Sequence, residues 1–255
     1  MNIPATFIQQ QQKSWFKDWF DTNFYHQLYA SRDKTEATLF VKNLINELHP
    51  PENCTMLDLG CGAGRHAKQL AAYGYNVTGL DLSASSIRSA KQAHIPGTQF
   101  YQHDMRIPFC ISRFNYVFSF FTSFGYFKTP EENNAVIYNI ANSLKPKGTF
   151  VMDYLNVSFS EAHLVENEQK DIDGIVYNIH RWHNDTHFYK YIEVCDVLQN
   201  GNFEYTEQVE KLRLTDFDIL LKKNRLRLRK VFGDYSLDEY DPECSPRLIM
   251  IADKI

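Results

Sequence analysis

The sequence predicts an α/β fold in which a mostly parallel sheet carries helices on both faces, preceded by a helical segment and interrupted by an antiparallel β stretch. Three observations predict it. From Cys54 onward, short apolar runs alternate with helical stretches, the pattern of a parallel sheet covered by helices. A three-glycine loop stands where the first strand should give way to its helix, between Leu59 and Arg65. After Asn156 the texture changes to runs rich in β-branched and aromatic residues.

Taken in order, the polar opening with the run Gln9 to Gln12 reads as a frayed end, with order beginning near Trp15. From Ser14 to Leu48 apolar residues recur at steps of three and four, which predicts two amphipathic helices broken near Ser31 and ended by Pro50 and Pro51. Strands follow at Thr55 to Leu59, Asn76 to Asp81, Thr98 to His103, Asn115 to Phe120 and Thr149 to Tyr154. Helices are expected between them at Arg65 to Tyr73, Ser83 to His94 and Glu131 to Leu144. Beyond Asn156, Ile175 to His183, Tyr189 to Leu198 and Phe203 to Leu212 read as three antiparallel strands, the last two joined at Asn200-Gly201. A helix starting at Thr215, with Asp218 three residues on, and strands at Arg225 to Phe232 and Arg247 to Ala252 complete the chain. The domains expected are a helical lid over 1–50, a core of 51–157 with 213–255, and a β insertion over 158–212.

The 255 residues, 44% hydrophobic, are enough to bury a core. A formal charge of −4 without a basic block argues against nucleic acid as a partner. No stretch reaches the roughly 20 apolar residues of a membrane helix. Five scattered cysteines suit reduced thiols, so a cytoplasmic protein with no membrane partner is expected.

The most informative run is Leu57-Asp58-Leu59-Gly60-Cys61-Gly62-Ala63-Gly64-Arg65. Its G-x-G-x-G spacing differs from a dinucleotide fingerprint, and Arg65 occupies the position where that fingerprint wants a small residue. A carboxylate at Asp58 would repel a pyrophosphate but suits the ammonium end of an amino acid. Asp81, at the end of the second strand, fits a ribose clamp. Asp104 can accept from an adenine amino group while Met105 packs on the ring. These features point to a nucleoside carrying an amino acid.

With Val77-Thr-Gly-Leu-Asp-Leu-Ser83 and Leu144-Lys-Pro-Lys-Gly148, this run resembles the class I S-adenosylmethionine-dependent methyltransferases. The looser likeness of Trp19-Phe20, Tyr25, Leu28-Tyr29, Arg32-Asp33, Gly233-Asp-Tyr235 and Ser245-Pro-Arg-Leu-Ile249 is to a bacterial small-molecule branch. The resemblance implies a Rossmann-like seven-stranded sheet with an antiparallel last strand. It also implies methyl transfer from S-adenosylmethionine to a nitrogen, oxygen or carbon of a small molecule, leaving S-adenosylhomocysteine. The cofactor-binding set it implies is Tyr29, Arg32, Asp58, Gly60, Cys61, Gly62, Gly64, Asp81, Leu82, Asp104, Met105 and Phe120, with Arg32 toward the methionine carboxylate. One departure is Asn115, where the family usually carries an acid; the amide keeps the hydrogen-bonding shape without the charge.

No catalytic residue is assigned, because the reagent carries the reactivity and the protein's task is positioning. Acceptor-pocket candidates are Thr122, Ser123, Tyr126, Tyr154 and Asn156 at the ends of the fourth and fifth strands, with Arg181 and Trp182 from the insertion. The insertion and the N-terminal helices are expected to close that pocket, the rival use of the inserted sheet's outer face being a homodimer contact. His180, His183 and His187 do not converge in an extended strand, so no metal is expected. The basic stretch Lys222 to Lys230 reads as a charged strand near a sheet edge. The alternatives are a nucleic-acid or protein methyltransferase, which would need a basic or peptide-accommodating groove, and a cofactor-binding sensor without turnover.

Overall fold

The computed structural model describes residues 15–29, 34–196 and 201–255. The chain forms two compact units, Met1–Arg32 with Glu161–Lys211 and Asp33–Ser160 with Leu212–Ile255. Among the described residues no helix is long and apolar enough to cross a membrane.

The larger unit is built on a seven-stranded sheet of order β10-β11-β5-β4-β1-β2-β3. Its strands are β1 (Thr55–Leu59), β2 (Asn76–Asp81), β3 (Thr98–Gln102), β4 (Phe114–Ser119), β5 (Leu144–Leu155), β10 (Leu226–Phe232) and β11 (Arg247–Lys254). β1 to β5 run parallel, whereas β11 is antiparallel to both β5 and β10. Sequence order reverses across β1, between β2 on one side and β4 on the other, which makes the end of β1 the switch point where open α/β sheets take ligands. Helices α4 (Arg65–Ala72), α5 (Ala84–Gln92) and α6 (Pro130–Ser143) alternate with the strands, and α8 (Leu214–Lys223) precedes β10. Three of these starts are held by side-chain caps. Ser83 Oγ accepts from Ser86 N at 3.0 Å, Thr129 Oγ1 accepts from Glu132 N at 3.3 Å with Pro130 in the first turn, and the Asp216 carboxylate accepts from Arg213 N at 2.8 Å. The last pair starts α8 one residue before the expected Thr215, with Asp216 rather than Asp218 reaching back.

The N-terminal stretch read as one lid divides between the units. α1 (Trp15–Trp19) and α2 (Asn23–Leu28) are short, because Thr22 breaks the helix and caps the next one through Tyr25 N at 3.1 Å. They bury Trp19 and Leu28 with Tyr177, Ile179, Ile192 and Val194 of the antiparallel sheet. α3 (Lys34–Leu48) instead buries Phe40, Val41 and Leu44 in the core of the larger unit. The expected break near Ser31 lies outside the described residues.

The smaller unit's sheet has four strands in the order β6-β7-β8-β9. They are β6 (Asn167–Ile172), β7 (Ile175–His183), β8 (His187–Asp196) and β9 (Gly201–Glu210), all antiparallel. β6 was missed because Asn-Glu-Gln-Lys-Asp-Ile has almost no apolar residue. Its backbone pairing with β7, not its own burial, makes it a strand. A short helix α7 (Val157–Ala162) was also unpredicted.

Candidate active site

The glycine loop is positioned by backbone bonds to the neighbouring strand. Gly60 N and Cys61 N both donate to Leu80 O, at 2.8 and 3.0 Å, and Gly64 N closes the turn on Cys61 O at 2.9 Å. Gly60 and Gly64 hold φ of +77° and +79°, and a Cβ on either would meet Ser123 or Phe100 within 3 Å. Only glycine satisfies both demands.

Asp81 fixes the loop from the end of β2. Its Oδ2 accepts from Gly62 N at 2.7 Å and its Oδ1 from Ser83 N at 2.8 Å. A carboxylate offers about four acceptor sites on its two oxygens, the chemistry a ribose clamp uses. Asp58, opposite Gly79 of β2 and Phe118 of β4, is 1% exposed. Its Oδ2 accepts from Ala67 N at 3.1 Å, while its buried Oδ1 has no hydrogen-bond partner among the described residues. Burial raises its pKa to about 7 against the pull of the Ala67 amide. An orphaned buried carboxylate oxygen beside the glycine loop fits a ligand that brings a cation, and the amino end of S-adenosylmethionine brings one.

The remaining candidates divide. Met105 Cε and the Ser123 side chain both stand within 4 Å of where a Gly60 Cβ would be, so they wall the loop. Cys61 is buried in the loop, its thiol pushed well up by burial, and Leu82 O accepts from Gln102 Nε2 at 3.0 Å. Asp104, expected to meet an adenine amino group, is held by Arg106 through Nε at 3.0 Å and Nη2 at 2.7 Å, and Arg106 continues to Glu132 at 2.5 Å. The Phe120 ring lies in the core between His66 and Phe118, with centroids 4.3 and 5.3 Å away, so at most its backbone faces a ligand. Tyr154 is fully buried against Phe217, at 5.0 Å. Asn156 pins the loop before β11, donating to Pro242 O and Ser245 O at 2.9 and 2.8 Å. These two side chains brace the site from within the core. Tyr126 donates its hydroxyl to Thr122 O.

In the smaller unit, Tyr29 donates to Glu207 Oε1 at 2.6 Å and accepts from Lys190. Arg181 and Trp182 were expected to grip one acceptor together, but they sit on opposite faces of β7 because side chains alternate along a strand. Arg181 pairs with Glu168 at 2.5 Å on the face that carries Tyr177 and Ile179. Trp182 stacks between His180 and Tyr189 on the other face, at 5.4 and 5.3 Å. Arg32 lies outside the described residues.

Sequence reasoning passed over a network at the end of β4. Phe121 and Thr122 both have φ of +58°, a strained conformation for side chains with a Cβ, worth about 1–3 kcal/mol each. Asp153 of β5 holds them: its Oδ2 accepts from Phe121 N at 2.8 Å and its carbonyl from Thr122 N at 2.9 Å. Arg247 donates through Nε to Asp153 Oδ1 at 2.7 Å and through Nη2 to Thr122 Oγ1 at 2.9 Å. Tyr235, whose hydroxyl burial keeps protonated, donates to Asp153 Oδ2 at 3.1 Å. The available signal was a carboxylate inside the apolar run Phe150-Val-Met-Asp-Tyr154, because a buried charge demands a partner. Asn115 matches its expected structural role: its Oδ1 accepts from Thr55 N, Thr55 Oγ1 and Lys145 Nζ at 2.9 to 3.1 Å, tying the starts of β1, β4 and β5.

Residues 56–148, within the larger unit, match the model of a family described as a methyltransferase domain. Over 103 residues, 40% of the chain, the sequence is 34% identical to a dTDP-3-amino-3,4,6-trideoxy-alpha-D-glucopyranose N,N-dimethyltransferase of Streptomyces venezuelae. That stretch spans 43% of the relative's length. Among solved structures, an S-adenosylmethionine-dependent methyltransferase from Clostridium acetobutylicum aligns with a TM-score of 0.76 at 18% identity, covering 91% of this chain and 96% of that one. The sugar N-methyltransferase KedS8 from Streptoalloteichus aligns at 0.71 and 18%, covering 90% and 92%. At these identities the structural likeness is one of fold.

Proposed function

We propose that the chain transfers a methyl group from S-adenosylmethionine to a small-molecule acceptor, and that the acceptor atom is an amine nitrogen of a sugar-like compound. The observation that carries the reading is the unpartnered Asp58 Oδ1 beside the glycine loop. The amine is suggested by the names of two of the similar proteins, a dTDP-amino-sugar N,N-dimethyltransferase and a sugar N-methyltransferase. When bound, S-adenosylmethionine supplies a sulfonium-activated methyl group, open to in-line attack by a lone pair. Asp58 would face its ammonium group, Asp81 its ribose hydroxyls, and Met105 with Ser123 would wall the site. The chain's own contribution is positioning and exclusion of water. His66 is no base: burial and the Arg65 charge push its pKa down to about 3, so it stays neutral and buried against Phe120. The acceptor amine attacks as its free base, because a protonated nitrogen has no lone pair, and the methylated ammonium it becomes can shed its proton on leaving the site.

Calorimetry with S-adenosylhomocysteine, followed by a turnover screen of amino sugars, simple amines, acids and phenols, tests this reading. Binding together with product formation on amino sugars is expected. Binding without turnover on any class would favour a sensor, turnover confined to phenols or acids would refute the amine, and absence of binding would refute the whole reading.

A further inference from the structure

The geometry points to Arg247 as a positioning residue for methyl transfer: it locks the strained Phe121–Ser123 turn against the glycine loop. The inference rests on the larger unit being the methyl-transfer site. The turn leaves β4 at the sheet's switch point, and Ser123 Oγ lies 3.4 Å from Gly60 O, so a shift of the turn is a shift of the wall beside the loop. Its backbone is strained, since both Phe121 and Thr122 are left-handed, and the local bonds are side-chain ones, from Ser123 Oγ to Phe120 O at 2.8 Å and from the Tyr126 hydroxyl to Thr122 O. It is held from outside by three bonds to Asp153 and Arg247: Phe121 N to Asp153 Oδ2, Thr122 N to Asp153 O, and Arg247 Nη2 to Thr122 Oγ1.

Arg247 joins two of these elements with one rigid fork. Its Nε reaches the Asp153 carboxylate while its Nη2 reaches Thr122, and its guanidinium lies 5.5 Å from the centre of the Phe121 ring. Arg65, the first residue of α4 after the glycine loop, lies 5.2 Å from the centre of that same ring. Phe121 therefore touches both the helix that follows the loop and the last strand of the sheet. Asp153 is 1% exposed, so without Arg247 its charge would lose its partner in the core. A lysine carries the charge but cannot make two divergent bonds from a planar group.

Arg247→Lys is the test, read by amide exchange and by kinetics, with Thr122→Val as a milder variant that removes only one oxygen. In Arg247→Lys, exchange at the Phe121 and Thr122 amides should rise by at least about tenfold while the amides of Gly60 to Gly64 stay protected. Affinity for S-adenosylhomocysteine should stay within a factor of about three, and kcat should fall by about a hundredfold, as expected for a reacting wall displaced by an ångström. Thr122→Val should move exchange and kcat in the same direction by about tenfold. Unchanged exchange at both amides in both variants would overturn the inference, as would raised exchange with wild-type kcat. A fall in kcat matched by loss of cofactor affinity would reduce Arg247 to a folding role. Failure of the methyl-transfer reading would show separately, as wild-type protein that binds no S-adenosylhomocysteine, and the exchange arm would still report on the turn.

Discussion

The two halves of the seven-stranded sheet hold their ligand-facing ends in different ways. On the β1–β2–β3 side, the glycine loop is fixed by main-chain bonds to Leu80 and by Asp81, with Asp58 holding Ala67 of the helix that follows, all within about 25 residues of one another. On the β4–β5–β11 side, the turn after β4 is fixed by side chains from Asp153, Tyr235 and Arg247, up to 125 residues from Thr122. The first half is a contiguous motif that one ligand can require of many chains. The second is assembled by the fold, where each chain can adapt its acceptor. Cofactor identity should therefore depend on local backbone, and acceptor chemistry on long-range side-chain pairs.

The strongest way to break this comparison is at Gly60, where the halves touch. A methyl group there would lie 2.6 Å from Ser123 Cβ, on backbone with φ of +77°. Gly60→Ala should weaken S-adenosylhomocysteine binding by more than about two-hundredfold in calorimetry, since strain and displacement of the turn add. Near-normal affinity would show that the loop does not need its observed shape. Asp81→Ala should cost about 1.5–3 kcal/mol of the same binding, because ribose hydroxyls lose a charged acceptor and the Gly62 amide loses its partner. Unchanged affinity would move the ribose away from β2.

A smaller effect separates ionic from structural roles at Asp58. Its folded-state pKa of about 7 lies above the ordinary 3.8, so the folded protein holds this proton more tightly than the unfolded chain does. The stability it contributes is complete below pH 3.8 and is lost as pH rises through about 7. Ligand binding runs the other way: the ionised carboxylate attracts an ammonium, so S-adenosylhomocysteine should bind roughly tenfold more tightly at pH 8 than at pH 6. Asp58→Asn should flatten both slopes. A binding slope that persists in that variant would assign the titration to another group.

The same contrast explains what could be read in advance. Gly60 to Gly64 and Asp81 were legible because turn, close approach and charge all fall within short spacings. The positions of the core strands followed from alternating texture, and the antiparallel last strand from the family resemblance. β6 was not legible, because its strand character comes from pairing with β7 and not from its own polar residues. Arg106 was not legible either, since only the folded loop shows it occupying Asp104. The Asp153–Arg247 pair spans 94 residues, and no periodicity in the chain connects them.

The smallest expected effect concerns β7 in the other unit, where the sequence suggested that Arg181 and Trp182 act together. Alternation denies that, because neighbouring side chains on a strand point to opposite faces. The Arg181 guanidinium is occupied by Glu168 at 2.5 Å and by Val165 O at 3.2 Å, both groups partly exposed. Arg181→Ala should lower stability by about 0.2–1 kcal/mol, the range for an exposed ion pair, and leave the acceptor KM unchanged. Trp182 belongs to a polar and aromatic face with His180, Tyr189 and Tyr191, bordering a shallow depression of about 370 Å³ lined by His180 and Tyr191. Trp182→Ala removes the middle ring of that stack, so it should alter either acceptor KM or the protein's mass in solution, depending on which partner that face meets. Steady-state kinetics and light scattering on the two variants decide the matter. Parallel changes of acceptor KM in both would mean that one ligand contacts both faces of a single strand, and the assignment of Arg181 to an internal ion pair would fall.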